Sequence, residues 1–162
     1  MKIAAGIAAL YLIIVVLMAL AQDRLLLPRW AMGSGVALPA TAERLGLSLA
    51  SGEELVGVHL PKERPSPEGA ALVLGFGGNA WDADALALYL HSLFPDRGVA
   101  AFHYRGYAPS TGEPSARAIL EDAVTIYDYV VVTLAPDWAV AVGLSLGAAQ
   151  SPSWRVNARS PA

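Results

Sequence analysis

The pattern of apolar and polar residues changes sharply along this chain. Its first 22 residues include a charge-free run from Ile3 to Gln22. About 20 apolar residues in a helix are long enough to cross the hydrocarbon core of a bilayer. We therefore predict a transmembrane helix over residues 1–22 and a membrane localisation with one N-terminal anchor. A cleaved signal peptide is the alternative, because Ala19-Leu20-Ala21 offers a small-x-small cleavage site. The flanking charges do not decide the orientation.

The next segments are shorter and change from irregular to alternating. Residues 23–43 contain prolines and glycines without a sustained period, which predicts a juxtamembrane linker. Residues 44–49 and 55–60 alternate between apolar and polar or small residues on either side of Ser51-Gly52-Glu53. This pattern is typical of a β-hairpin. It makes His59 a solvated strand residue rather than a catalytic one.

Beyond a polar loop, continuous apolar runs replace the alternation. Residues 70–74, 99–104 and 138–142 are such runs, which indicate strands buried on both faces. Helical periods lie between them, with Asp82 or Asp84 available to cap the first helix and Ser115 the second. Strand, helix, strand, helix, strand predicts a βαβαβ unit with a parallel sheet. We predict an α/β domain over residues 44–150, followed by an irregular tail over 151–162.

Composition excludes several classes of function. The net charge is −3, and the 11 Lys and Arg form no basic run, so nucleic-acid binding has no support. The absence of cysteine removes disulfides and thiol catalysis. His59, His91 and His103 share no ligand spacing. We therefore predict neither a metal nor a cofactor.

One motif carries candidate chemistry at the end of the last predicted strand. Gly143-Leu144-Ser145-Leu146-Gly147 is a G-x-S-x-G sequence, and small residues that can begin a helix follow it. A strand, two flanking glycines and a helix start are the parts of a nucleophile elbow, which presents a serine on a strained turn. The sequence therefore predicts that Ser145 is exposed at the carboxyl end of the sheet.

A second loop at a strand end allows two interpretations. Residues 75–80 match the dinucleotide fingerprint G-x-G-x-x-A. Two features oppose nucleotide binding. Asp82 and Asp84 would place negative carboxylates at the helix start, where a pyrophosphate needs free backbone N–H groups. The next strand also does not end in an acidic residue that could bind the ribose. The other interpretation is an oxyanion loop, in which small residues let a backbone N–H approach a substrate oxygen.

These segments together resemble a known family. The segments are GFGGNAWDADALALYL, FHYRGYAPSTGEPS, a helix containing Asp122, and VGLSLG. Their order resembles that in serine α/β-hydrolases, and in particular in the membrane-anchored branch of that family. The resemblance implies that Ser145 is the nucleophile and that the backbone N–H groups of Asn79 and Leu146 form the oxyanion hole. It also implies that Arg105 braces a structural loop through an ion pair. Gly77 departs from the family, which usually has histidine there.

The catalytic partners of a serine are absent after the motif. In this family the acid and the histidine follow the serine, yet the 17 residues after Ser145 contain no Asp, Glu or His. His103 is the nearest upstream histidine, and we interpret it as a packed strand-end residue. We therefore predict a C-terminally truncated hydrolase that does not turn over.

The resemblance implies that complete relatives hydrolyse a small-molecule ester, thioester or amide. Membrane lipid is the expected partner of the predicted anchor. The alternative function is a non-catalytic, membrane-tethered module that binds an unidentified protein partner. A dinucleotide-binding module is the third interpretation.

Overall fold

A computed structural model of the chain describes residues 2–27, 35–65, 69–79, 81–150 and 155–157. Its helices are α1 (Lys2–Leu26), α2 (Ala83–Leu93) and α3 (Ala116–Leu134), with a 3-10 helix at Ser145–Gln150. Its strands are β1 (Glu43–Ser48), β2 (Glu54–Leu60), β3 (Ala71–Phe76), β4 (Gly98–Phe102), β5 (Trp138–Gly143) and β6 (Arg155–Asn157). The predicted linker residues 28–34 and most of the predicted tail lie outside the described residues.

These strands form one mixed sheet in the order β1-β2-β4-β3-β5-β6. The predicted hairpin is present as the antiparallel pair β1 and β2, and β2 continues antiparallel onto β4. The predicted βαβαβ unit is also present, because β3 pairs in parallel with both β4 and β5. Three residues of the predicted tail form β6, which pairs antiparallel with β5, although the sequence shows no strand period there.

The strand order decides where the loops meet. From β3 the chain crosses to β4 on one side, and from β4 it crosses back past β3 to β5 on the other side. The direction of winding therefore reverses at β3, and such a switch point leaves a crevice at the carboxyl ends of the strands. Phe76 at the end of β3 pairs with Gly143 at the end of β5. The loops that follow these two strands consequently begin side by side.

Helices cover both faces of the sheet, which explains the continuous apolar runs. On one face, Leu72 and Leu74 of β3 pack in a cluster with Ile119 and Ile126 of α3. On the other face, the intervening Val73 packs with residues of α2. Successive strand residues point to opposite faces, so a strand covered on both sides must be apolar at every position.

Capping residues set the starts of both covering helices. Asp82 caps α2 by accepting a hydrogen bond from the Ala85 amide at 2.9 Å, and Ser115 caps α3 in the same way through the Ala118 amide at 3.1 Å. Each side chain satisfies a backbone N–H that has no partner within the helix.

The N-terminal prediction requires a correction. The charge-free run does form a helix, α1, but no helix among the described residues is long and apolar enough to cross a membrane. The predicted transmembrane helix, and with it the single-pass membrane localisation, is therefore wrong. That prediction depended on the absence of charge.

Candidate active site

Ser145 lies on a sharp turn between β5 and the 3-10 helix. Its backbone has a φ of +55°, in the left-handed region, and its side chain is exposed. A non-glycine residue in this region is unusual and costs on the order of 1–3 kcal/mol. The rest of the fold must therefore hold this residue in place, as in a nucleophile elbow.

The two flanking glycines allow the turn to pack. A Cβ atom on Gly143 would overlap the Gly147 carbonyl group, and one on Gly147 would overlap the Phe76 carbonyl group. Both overlaps involve backbone atoms, which cannot move aside as a flexible side chain can. The close approach of β5, the 3-10 helix and β3 consequently requires glycine at both positions.

The loop after β3 lies directly against this serine. A Cβ on Gly78 would lie 3.3 Å from the Cβ of Ser145. The amide of Leu144 donates a hydrogen bond of 3.0 Å to the Phe76 carbonyl, which joins the two strand ends. Asn79 follows Gly78, and Leu146 follows Ser145 in the first turn of the 3-10 helix. The structure therefore brings the three predicted site residues into two adjacent loops.

Two tyrosines hold the loop after β3 from the side of β4. The buried Tyr104 hydroxyl donates to the Gly77 carbonyl at 2.7 Å, and the Tyr107 hydroxyl donates to Oδ1 of Asn79 at 3.1 Å. Sequence reasoning assigned these tyrosines only to a structural loop and missed the contacts. The one available signal was their position after the strand that turns out to lie beside β3.

Arg105, between those tyrosines, is anchored to α3. Its Nε donates to Oδ2 of Asp122 at 3.0 Å and its Nη2 donates to Oδ1 at 2.5 Å, while Nη1 lies 3.4 Å from Oε1 of Glu53. Hydrogen bonding to Asp122 raises the pKa of Arg105 above its usual value. The predicted loop-bracing ion pair is confirmed, and the structure identifies its partner as the buried Asp122.

The histidines do not reach the serine. No hydrogen bond joins the Oγ of Ser145 to a side chain in the part of the chain that the structure describes. His103 is buried, and its Nε2 lies 3.6 Å from Oδ1 of Asp84. His59 lies 3.1 Å from Glu43 and beside Gly98, at the amino end of β4 and away from the elbow. His91, on α2, pairs with a loop glutamate.

Burial sets the protonation of His103. Desolvation lowers the pKa of His103 below its usual value, although the charges of Asp82 and Asp84 oppose that effect. The ring is consequently neutral at neutral pH. Within the described ranges, no group of three or more His, Asp or Glu side chains could hold a metal ion.

Comparison with known proteins agrees with this architecture. No family model matches the chain. A segment of 114 residues is 36% identical to YfhR of Salmonella typhimurium, an uncharacterized protein, and the match covers 67% of this chain and 39% of that relative. The chain thus spans about two fifths of the length of the curated relatives that it matches.

Solved structures share the fold at low sequence identity. The esterase Pf2001 of Pyrococcus furiosus matches with a TM-score of 0.59 and 15% identity, over 72% of this chain and 48% of the esterase. A lidless α/β serine hydrolase of Xanthomonas campestris matches with a TM-score of 0.55 and 16% identity, over 72% of this chain and 56% of that protein. The chain therefore has the fold of the α/β hydrolases.

Proposed function

We propose that this chain carries the nucleophile and the oxyanion hole of a serine hydrolase that acts by acyl transfer, within a catalytic unit that comprises residues 44–150. Ser145 is the nucleophile, and the backbone N–H groups of Asn79 and Leu146 stabilise the negative oxygen of the tetrahedral intermediate. The substrate is a small-molecule ester, thioester or amide. The names of the structural neighbours, an esterase and a serine hydrolase, support this substrate class.

The left-handed backbone of Ser145 is the observation that carries the proposal. A turn with a purely structural role would carry glycine at this position, because glycine adopts a positive φ without strain. A serine there has a conformational cost that a purely structural role does not explain. At Ser145 the strain coincides with an exposed side chain and with the neighbouring Gly78, on which an added Cβ would lie 3.3 Å from the Cβ of Ser145. Strain that presents a hydroxyl beside a second loop is characteristic of a nucleophile elbow.

The proposal includes a limit on reactivity. A serine hydroxyl is a weak nucleophile without a general base. Neither His103 nor another side chain that the structure describes is hydrogen-bonded to Ser145. With these residues alone we propose slow acylation of Ser145 and no efficient turnover.

Covalent labelling with a fluorophosphonate tests the assignment. Added imidazole can act as the missing base, and a positioned base contributes about 10²–10⁴-fold to such a step. We expect slow labelling at one site, with a marked acceleration by imidazole that disappears in Ser145→Ala. Ser92→Ala removes another exposed serine, on α2, and should label like the unchanged chain.

The outcomes separate two classes of function. Labelling that requires Ser145 and responds to imidazole supports the nucleophile. If folded protein resists the reagent with and without imidazole, Ser145 is not activated and the proposal is wrong. The chain would then have to be tested as a non-catalytic module that binds a protein partner.

A further inference from the structure

A second site lies at the carboxyl end of β4, beside the start of α2. It is an open pocket of about 340 Å³. Its walls come from the segment before β1, from β1, from α2 and from the loop after β4. The residues that line it are Gly35, Arg44, Asp82, Asp84, His103, Ala108 and Pro109. The pocket combines four charged or titratable side chains with a short apolar wall.

His103 has no hydrogen-bond partner in this pocket. Its side chain is 2% exposed, and neither ring nitrogen is hydrogen-bonded to any residue that the structure describes. The 3.6 Å between Nε2 and Asp84 exceeds hydrogen-bond length. Buried polar side chains nearly always have partners, because an unpaired group loses its hydration without compensation. The orphaned imidazole thus points to a ligand that supplies the missing bond.

The neighbouring charges determine the sign of that ligand. Arg44 donates to both carboxylate oxygens of Asp84 at 2.7 Å, and Asp82 caps α2. Two carboxylates against one guanidinium leave the pocket with one net negative charge while His103 is neutral. Burial lowers the pKa of the His103 ring, and the negative charges of Asp82 and Asp84 oppose that effect without outweighing it. The site therefore favours a cation that the chain itself does not supply.

We propose that this pocket binds the primary ammonium group of a small organic ligand. One N–H donates to the unprotonated ring nitrogen of His103, and the others donate to the carboxylates of Asp82 and Asp84, whose oxygens can each accept more than one hydrogen bond. The alkyl part of the ligand lies against Ala108 and Pro109. The bound charge neutralises the pocket and gives the unprotonated ring nitrogen of His103 a donor in the same step.

The pocket and the elbow lie on the same edge of the sheet. His103 follows β4, and Ser145 follows β5, with β3 between these strands. At a strand spacing of about 4.8 Å the two sites are roughly 10 Å apart. An amine bound beside His103 could therefore belong to one end of a substrate. Amine binding itself does not require Ser145 and is tested without it.

Titration of the full chain with n-butylammonium chloride, at constant ionic strength, tests the site. The NMR signal of the His103 ring, assigned by its loss in His103→Gln, should shift in a saturable way, with a dissociation constant on the order of 1–10 mM. n-Butanol has the same size and no charge, and should produce no saturable shift. Saturation with the ammonium should also lower the pKa of His103 further, because a bound cation disfavours a second positive charge.

Charge-neutral variants locate the binding. Asp84→Asn should weaken binding about tenfold. Asp82→Asn keeps a good N-cap residue and should weaken binding even if the first variant folds poorly. Asp128→Asn removes the same charge from the exposed surface of α3 and should leave binding unchanged. Ser145→Ala should also bind normally.

Three results would overturn the proposal. These are the absence of a saturable shift, an equal shift with butanol, or binding that is unchanged in Asp82→Asn. A failure of fluorophosphonate labelling concerns Ser145 alone and would leave the amine site standing.

Discussion

The phenolic hydroxyl of Tyr104 donates a buried hydrogen bond of 2.7 Å to the carbonyl of Gly77. This bond ties the loop after β4 to the loop after β3, which lies against Ser145. Because the Gly77 carbonyl is buried, it depends on this donor to replace the water lost on folding. The position of the proposed oxyanion loop is thus coupled to Tyr104-Arg105-Gly106-Tyr107, the segment that follows β4.

Replacing Tyr104 by phenylalanine tests this coupling. The variant leaves a buried carbonyl without its donor, which costs about 1–3 kcal/mol of unfolding free energy. We also expect slower labelling of Ser145, measured with imidazole present. Tyr89→Phe removes an exposed hydroxyl from α2 and is the matched control. A stable Tyr104→Phe chain with normal labelling would contradict a positioning role.

The ion pair between Arg105 and Asp122 should contribute strongly to stability. Asp122 has a side chain only 4% exposed, so Arg105→Ala leaves a buried carboxylate without its partner. Breaking such a pair costs roughly 3–5 kcal/mol, as urea unfolding would show. Arg117 and Glu121 form an exposed pair on the same helix, and Arg117→Ala should leave the urea midpoint unchanged. Equal midpoints for the two variants would show that burial does not matter here.

Gly147→Ala tests the close packing of the elbow. The added methyl group would overlap the Phe76 carbonyl, so the backbone must move, at a cost of about 1–3 kcal/mol. The same movement displaces Ser145 from the β3 loop, and we expect its labelling to be lost. Gly46→Ala, on β1, places its Cβ at an ordinary 3.5 Å from Glu54 and should be tolerated. Normal labelling of Gly147→Ala would mean that the elbow does not need this glycine.

Two variants of Ser145 separate backbone strain from side-chain chemistry. Both Ser145→Ala and Ser145→Gly remove the nucleophile, but only glycine adopts a φ of +55° without strain. We expect the glycine variant to be about 1 kcal/mol more stable than the alanine variant in urea unfolding. Equal stabilities would indicate that the left-handed conformation is not maintained in solution.

His103 predicts a dependence of stability on pH. Burial lowers the pKa of His103 in the folded chain below 6.5, so between the folded and unfolded pKa values the unfolded chain binds more protons. The free energy of unfolding is therefore unaffected by His103 above a pH of about 6.5. Below that pH it decreases, with a slope of at most about 1.4 kcal/mol per pH unit.

Unfolding free energies measured between pH 5 and 8 should show this decrease, and His103→Gln should flatten it. His59→Gln is the matched substitution at a half-buried strand histidine. If the unfolding free energy of His103→Gln falls with pH as steeply as that of the unchanged chain, groups other than His103 cause the pH dependence.

The sequence alone determined the main elements and the tight turn at Ser145. Continuous apolar runs predicted the strands covered on both faces, because burial on two sides requires apolar residues at every position. Asp82 and Ser115 marked the helix starts, and the glycines around Ser145 indicated a tight turn. Each of these signals is local, since it depends on residues a few positions apart. The same local reasoning failed for residues 1–22, where absence of charge wrongly predicted a membrane span.

Only the tertiary structure decided which distant residues meet. Arg44 and Asp84 pair across 40 positions, and Tyr104 reaches Gly77 across 27. These contacts depend on the order of the strands, which places β4 beside β3 and β5 on its other side. A period of two or 3.6 residues records which face of an element is buried, but not which element covers it. The pocket around His103 is formed by that arrangement and has no local pattern in the sequence.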